Sequence, residues 1–341
     1  MPASKESRFV FCLIFSLIIL LASSCSRAPE IPVAGKAFAR DMLTLLPADT
    51  SAFLVADWNR LMNLKTVERV LSETGELEGY RKKAEAFVNL KNDVFLIAVA
   101  IIGDINRPAE NAVLLANLKY DRSKLLPSDN QEDSTLEFYQ GLPYFPFIEI
   151  EESAVACLAF LDGSNIAIGS EKAIKKIIDV YRGNIPSLYS NKQIKPFLKD
   201  LNMNSLTFSW LTLPAGLVKA ENGENPALKL LAKVRNVSSF TDYRHQSYQL
   251  EIKIYAGAQA DLKQIADTLL GLKALGLGLG GEIPEISQAL NSLEITLSQR
   301  YVKVYMNLRE ELLENLKKIL KEKMPEAREK PSELFIERED F

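Results

Sequence analysis

"NVSSFTDYRHQSYQLEIKIYA", residues 236–256, decides the fold class. Its second arm sets Tyr248, Leu250, Ile252 and Ile254 against Gln249, Glu251 and Lys253. Side chains of an extended strand point alternately to opposite faces, so this two-residue period describes a sheet with one packed face and one wet face. Sheets of that kind are mostly antiparallel. The polar break around His245 supplies the hairpin turn. Working outward, "SLTFSWL" (205–211) alternates in the same manner, and "SLEITLSQRYVKVYMNL" (292–308) reads as another hairpin. Between them the period changes. Residues 260–274 place Leu262, Ile265, Ala266, Leu269 and Leu270 on one face of a helix. "NPALKLLAKV" adds a helical stretch before the opening hairpin, and the last helix starts with Glu310 and Glu311 and ends with Lys317 and Lys318, as the macrodipole favours.

The preceding chain carries the same order. "LLPADTSAFLVADWNRL" gives a turn at Pro47, Asp49 and Thr50, then a strand over 51–58. Leu61, Leu64, Val67, Val70 and Leu71 recur at helical spacing, and Tyr80, Ala84, Phe87 and Val88 mark a second helix. "DVFLIAVAII" (93–102) is a strand apolar on both faces; "NAVLLANL" (111–118) is its neighbour. A short helix near Asp121, a polar loop and a strand near "LEFYQ" follow. "SAVACLAFLDGSNIAIG" (153–169) is a hairpin in which Asp162-Gly163 is expected to supply positive φ. "SEKAIKKIIDVY" closes the unit as a helix with Ser170 as N-cap and Ile174, Ile177, Ile178 and Tyr181 as its buried stripe. Each half therefore reads β-α-β-β-α-β-β-α. The expected fold is α+β, two tandem related halves (42–190 and 191–324) with mostly antiparallel sheets and helices packed on one face. Residues 325–341 are charged and read as a loose, disordered tail; docking of its apolar island "ELFIE" on a partner or on the chain itself is the alternative.

The Pro47-Ala48-Asp49-Thr50 turn before Phe53 and its strand, with the hairpin-helix unit "FLDGSNIAIGSEKAIKKIIDVY", resembles a group of uncharacterised bacterial exported proteins known mainly as a domain of unknown function. The resemblance implies export and repeated β-β-α units. It implies no catalytic residues.

The N-terminus agrees with export. Lys5 and Arg8 precede an apolar run from Phe9 to Ala22 whose only polar member is a serine, and Ala22-Ser23-Ser24-Cys25 follows. A membrane-spanning helix needs roughly 20 apolar residues, so this shorter run reads as a signal over 1–24. The small residues before the cysteine resemble the bacterial lipobox, with Ala22 where leucine is commoner. That resemblance implies lipidation at Cys25, a tether over 25–41 and a body held at a membrane from the periplasm. Ser26, in place of aspartate, favours the outer membrane over the inner. A simple cleaved signal and an uncleaved anchor are the alternatives.

Chemistry is sparse. The chain has 41 basic and 44 acidic residues; loss of Lys5, Glu6 and Arg8 with the signal leaves a charge of −4. That balance argues against nucleic acid, which attracts a basic face. Cys157 is the one cysteine outside the signal and lipid site and reads as a buried small hydrophobe. The single histidine, His245, falls in a turn, a poor place for an oriented base. No H-E-x-x-H or C-x-x-C spacing points to zinc, and no loop matches an EF-hand. No cofactor is expected. "GLGLGG" (276–281) follows a helix, where a dinucleotide fingerprint must follow a strand; it reads as a flexible helix end, a flap or a membrane-touching loop. Glu149, Glu151 and Glu152 in "EIEES" fit a solvated strand end better than a glycosidase pair. "FYQGLPYFPF" (138–147) gathers aromatics that either seal a core or meet a partner, with Tyr144, Phe145 and Phe147 as the contact candidates and the core reading ahead.

These readings predict a non-enzymatic, lipid-anchored envelope protein acting as a structural, adaptor or binding module for another envelope component. The alternatives are a carrier holding a lipid or other hydrophobic ligand between sheet and helices, and a hydrolase built on carboxylates alone.

Overall fold

The computed structural model describes residues 36–64, 67, 85, 88–125, 136–151, 154–214, 230, 232–279 and 283–323. The signal, Cys25, most of the tether, the expected helix around 80–88, most of "NPALKLLAKV" and residues 324–341 lie outside these ranges.

The fold is α+β. One antiparallel sheet takes up the described strands: β1 (Thr50–Asp57), β2 (Val94–Ile102), β3 (Ala112–Leu118), β4 (Glu137–Tyr139), β5 (Leu142–Glu151), β6 (Ala154–Phe160), β7 (Asn165–Gly169), β8 (Thr207–Thr212), β9 (Val234–Arg244), β10 (Ser247–Ala256), β11 (Leu293–Leu297) and β12 (Val302–Arg309). Their spatial order is β11-β12-β10-β9-β8-β1-β2-β3-β7-β6-β5-β4. The first strands of the two sequence halves, β1 and β8, pair antiparallel at the centre, with Val55 opposite Phe208. Outward from there, each side runs first, second and third strand, then the last strand and the penultimate one; β5 and β4 extend the first side. The halves thus share one sheet.

Around the strands lie α1 (Lys36–Thr44), α2 (Trp58–Met62), α3 (Pro108–Asn111), α4 (Arg122–Leu125), α5 (Glu171–Tyr181), α6 (Lys195–Leu198), α7 (Gln259–Leu279), α8 (Pro284–Asn291) and α9 (Glu310–Lys323). The expectation of helices on one face needs correction, because both faces are covered. Leu43 and Leu46 of the α1 region and Ile174, Ile177 and Ile178 of α5 join a core that includes Tyr255. Leu262, Ile265 and Ala266 of α7 join a separate cluster that includes Ile254. Ile254 and Tyr255 are consecutive in β10 and so point to opposite faces. The wholly apolar β2 is the sequence counterpart: it packs on both sides, against α5 and α1 through Leu96 and Ala98, and against Leu118 and Phe160 through Val94, while Phe95 stays exposed.

Local signals explain the element ends. Ser170 caps α5, accepting from the Ala173 amide at 3.2 Å while donating to the Glu110 carbonyl at 2.6 Å. Asp57 caps α2 through the Arg60 amide at 3.1 Å. The β9–β10 turn places His245 and Gln246 at φ 50° and 58°, the paired left-handed residues of a tight hairpin. The β6–β7 connection departs from expectation. Gly163 is not among the positive-φ residues. The Asp162 carboxylate shapes that turn, accepting from the Ser164 and Asn165 amides at 2.8 Å each.

Candidate functional site

Among the described residues, the α7–α8 pair departs from ordinary packing. α7 leaves β10 after Ala256 and is pinned at its start by Lys233, whose ammonium lies 3.0 Å from Asp261. Leu262, Ile265 and Ala266 are 1–3% exposed and rest on Val234 and Val302. Further along, Lys273 donates to the Leu293 carbonyl at 2.5 Å, level with the first residue of β11. Beyond that point α8 is the partner. A β-carbon on Gly276 would lie 2.9 Å from Leu290 Cδ1, so the two helices meet where a side chain is missing. This corrects the reading of "GLGLGG" as a flexible end: α7 continues through Gly276 and Gly278 to Leu279, with the Leu290 side chain lying close against Gly276. α8 itself carries Pro284 at its first turn and buries none of its residues fully.

Residues 268–279 of α7 hold one charge, Lys273, and its amine is turned to the Leu293 carbonyl. At 100° per residue, the face opposite the buried stripe carries Gly271, Ala274 and Gly278, all exposed, with Leu270 on one flank and Leu272 and Leu275 on the other. Those leucines are 47%, 58% and 64% exposed. A helix that is apolar all round normally lies inside a protein or in lipid, and a contiguous apolar patch marks an interaction surface. No described helix is long and apolar enough to cross a membrane, a statement that does not bear on strand-built spans.

A second apolar feature lies on the same side of the sheet. One cross-strand row runs Leu114–Val99–Leu54–Ser209–Ser239–Ile252–Val304, each residue opposite the next and all half-buried. At its middle the Ser209 and Ser239 hydroxyls bond to each other at 2.7 Å.

The aromatic stretch resolves toward the core. Tyr144 and Phe145 are 3% and 2% exposed and join clusters on opposite faces, because β5 is covered on both sides. Their rings are therefore not surfaces for a partner, which corrects that candidate assignment. Phe147 belongs to β5, but its side chain lies outside the described residues, as do those of Glu149, Glu151 and Glu152. The exposed aromatic here is Phe138, 67% accessible on edge strand β4. The Tyr144 hydroxyl donates to Glu137 and lies 3.2 Å from Glu171, which Lys175 engages at 2.5 Å. The bond to Glu137, then burial and the Glu171 charge, push the phenol up to about 12. Lys175 and Tyr144 hold Glu171 below its usual range despite some burial. This network clamps the β4–β5 hairpin to α5, since Tyr139 also donates to Asp179, at 3.1 Å, and Arg182 donates to the Gln140 carbonyl at 3.0 Å. Cys157 is buried, and burial, with Glu171 and Glu137 nearby, raises its thiol away from the reactive form. His245 is exposed at the hairpin tip, remote in chain and fold from Cys157 on β6. Among the described residues no group of three or more His, Cys, Asp or Glu is placed to hold a metal.

No protein-family model matches the chain, and no characterised protein matches it in sequence. Crystal structures of TP0453 align with it. Form III matches at a TM-score of 0.46 with 10% identity, covering 81% of this chain and 97% of that one. Form I gives 0.44 and 12% over 82% and 96%; form IV gives 0.45 and 11% over 80% and 95%. Likeness at this level identifies no family, and the Pro-Ala-Asp-Thr resemblance stays one of local motif.

Proposed function

We propose that the chain is a lipid-anchored envelope protein that lays the α7–α8 hairpin on a lipid surface and works there as a non-enzymatic binding module. The observation that carries the reading is the outward face of α7, whose leucines 270, 272 and 275 stand about half exposed or more around Gly271 and Ala274, with the amine of Lys273 turned away to the Leu293 carbonyl. Fully burying a leucine is worth about 1.5–3 kcal/mol. Three half-exposed leucines therefore supply about 3–4 kcal/mol, marginal alone and sufficient when an acyl anchor already holds the body at the membrane. The lipobox-like Ala22-Ser23-Ser24-Cys25 provides that anchor, with Cys25 as the acylated residue and the outer membrane as the favoured location. The non-enzymatic reading draws on the buried Cys157 and on His245 at a turn, which do not assemble a nucleophile and its base.

The test uses the mature chain with Cys25→Ser, so that no acyl chain contributes, floated with phosphatidylcholine–phosphatidylglycerol vesicles at about 10 mM lipid, since roughly 3–4 kcal/mol corresponds to binding at about millimolar concentration. Co-flotation that falls at least tenfold on Leu272→Asp with Leu275→Asp supports the reading. Equal flotation of the two proteins sinks it. The anchor is tested separately by intact mass of protein extracted from its own membrane: residues 25–341 plus acyl chains are expected, and an intact N-terminus overturns the localisation.

A second reading, a carrier of an amphiphilic ligand, is favoured by the half-buried row through Leu54, Val99 and Ile252 with its central Ser209–Ser239 hydroxyl pair. An apolar surface with few convergent polar groups suits an acyl chain with a small polar head. A stoichiometric lipid adduct in the same mass spectrum would move the assignment to this reading.

A further inference from the structure

We infer that two copies of the chain join edge to edge through β11, antiparallel about a two-fold axis at Ile295, so that the sheet continues from one copy into the other. β11 ends the sheet: β12 pairs on one side of it, and Glu294, Thr296 and Leu297 are exposed. Its backbone is set for a further strand. The Ser298 amide donates to the Tyr301 carbonyl at 2.9 Å and closes the β11–β12 turn. Bonded pairs alternate along an antiparallel ladder, so the pairs Thr296–Lys303 and Glu294–Tyr305 spend their bonds on β12. Leu293, Ile295 and Leu297 therefore turn their amides and carbonyls to the outer edge. Lys273 is an independent sign of this, since it reaches the Leu293 carbonyl from α7. That oxygen keeps a second lone pair for another donor. Sheet edges are commonly blunted by shortness, proline or a bulge. β4, at the far edge, has three residues; β11 has five in unbroken register and no proline.

The residues of the strand name its occupant. "LEITL" (293–297) reads nearly the same in both directions. Turned about Ile295, it sets Ile295 against its own copy and Leu293 against Leu297 on the α7 face, and Glu294 against Thr296 on the other. Glu294 then meets no second carboxylate. Beyond Thr296 of the second copy stands that copy's Lys303, its neighbour across β11 and β12. Pairing β11 with β4 of another copy offers only three residues and leaves an open chain of copies, whereas the two-fold contact closes on itself. The axis stands perpendicular to the sheet, so both α7 helices lie on the same side of the joined sheet. α7 packs on β10, β12 and β11, and the two helices flank the axis with their exposed leucines looking out from one side. The inference goes beyond the lipid-surface reading and does not rest on it: β11 carries it, and it gives a lipid surface two α7 faces in one particle. Five residues make a small contact of the weak, exchanging class.

Two measurements on the Cys25→Ser mature chain, without lipid, test this. In the first, chains with Glu294→Cys are mixed with chains with Thr296→Cys in a thiol–disulfide buffer; Cys157 is buried and stays unreactive. Positions 294 and 296 face each other across the axis as a non-hydrogen-bonded pair, about 4.5 Å between Cα atoms, inside the range that a disulfide spans. The expected product is the mixed disulfide, at least fivefold above either self-disulfide. Random proportions, or a stronger product between Glu294→Cys and Phe138→Cys on the opposite edge, overturn the inference. In the second, sedimentation velocity over a concentration series compares the parent chain with Thr296→Glu and Thr296→Lys. Across the axis the Thr296→Glu carboxylate faces Glu294 and the Thr296→Lys amine pairs with it, so the dimerisation constants should differ at least tenfold in favour of Thr296→Lys. Within one copy the sign is opposite, because position 296 faces Lys303: thermal unfolding should place Thr296→Lys at or below Thr296→Glu. Equal sedimentation of the three chains, or an order that follows their thermal stability, overturns the dimer. Failure here leaves the lipid-surface reading standing, and failure of the flotation leaves the dimer standing.

Discussion

Asp242 joins the two halves of the chain through a buried charge, and replacing it should unfold the protein more readily than any surface change. Its side chain is 1% exposed in β9, and it faces Arg60, 11% exposed in α2 of the first half, at 2.8 Å. The same carboxylate takes Arg244 at 2.5 Å and the amides of Leu206 and Tyr243 at 3.2 and 3.1 Å. Arg60 is tied further to the Asn204 carbonyl at 3.1 Å. Asp242→Ala leaves a buried guanidinium and two amides without their carboxylate. Breaking one side of a buried pair costs about 3–5 kcal/mol, a large share of a total stability of about 5–15 kcal/mol. Asp242→Asn keeps an acceptor and loses the charge, and since charge-assisted bonds are about twice as strong as neutral ones it should cost roughly half as much. Urea unfolding followed by far-ultraviolet dichroism measures both, with the midpoint reporting stability and the slope reporting exposed surface. Replacing both partners, Arg60→Met with Asp242→Leu, should recover part of the loss and not all of it, because Asp57, 4% exposed and 3.9 Å from Arg60, then loses that cation. A loss below about 1 kcal/mol for Asp242→Ala would refute the reasoning: the pair would then behave as a solvated surface bridge and not as the bolt between the halves.

Other outcomes follow from individual sites. A β-carbon at Gly169 would meet the Ala112 carbonyl oxygen at 2.7 Å and Val113 Cα at 3.2 Å, both backbone; Gly169→Ala should therefore cost about 1–3 kcal/mol in thermal unfolding, and a neutral result would show that β3 and β7 can separate freely. The Asp162 carboxyl is partly desolvated, which raises it, but bonds from Asn165 and Ser164 outweigh this and hold it below the usual carboxylate range. A depressed native value means stability present above the ordinary pKa and lost as pH falls through the native one, so Asp162→Ala should cost about 1 kcal/mol at neutral pH, with the gap closing in acid below about pH 4. For Tyr144, raised to about 12, the sign is opposite: the advantage of the wild type over Tyr144→Phe should be flat below about pH 10 and shrink as pH rises toward the native value. Gly276→Leu should force α7 from Leu290, seen as faster amide exchange in α8 with the sheet unchanged.

Much of the fold was legible in the sequence because its signals are local. Alternation in 248–254 and the stripe Ile174, Ile177, Ile178 and Tyr181 each follow from the period of one element, and the structure places β10 and α5 there. The His245 turn was legible for the same reason. The candidate site was legible only in part. "GLGLGG" reads as a flexible helix end, with a flap or membrane-touching loop as alternatives, because glycines in an apolar run suggest flexibility; the close approach at Gly276 appears only when Leu290 arrives from another helix. Tyr144, Phe145 and Phe138 look alike in sequence. β5 lies inside the sheet and β4 at its edge, so the first two are buried and the third is not.

By itself the sequence determined which segments are strands and helices, where chains turn, and which residues offer chemistry, because these depend on contacts within a few residues. Only the tertiary structure decided that both halves share one sheet, that its two faces are both covered, and that Arg60 meets Asp242 across 182 positions of chain. It also decided that the leucines of α7 face outward. Strand order and burial depend on which distant surfaces meet, and the energy of that choice is spread over pairs such as Val55 with Phe208, whose apolar side chains name no partner until the sheet has formed.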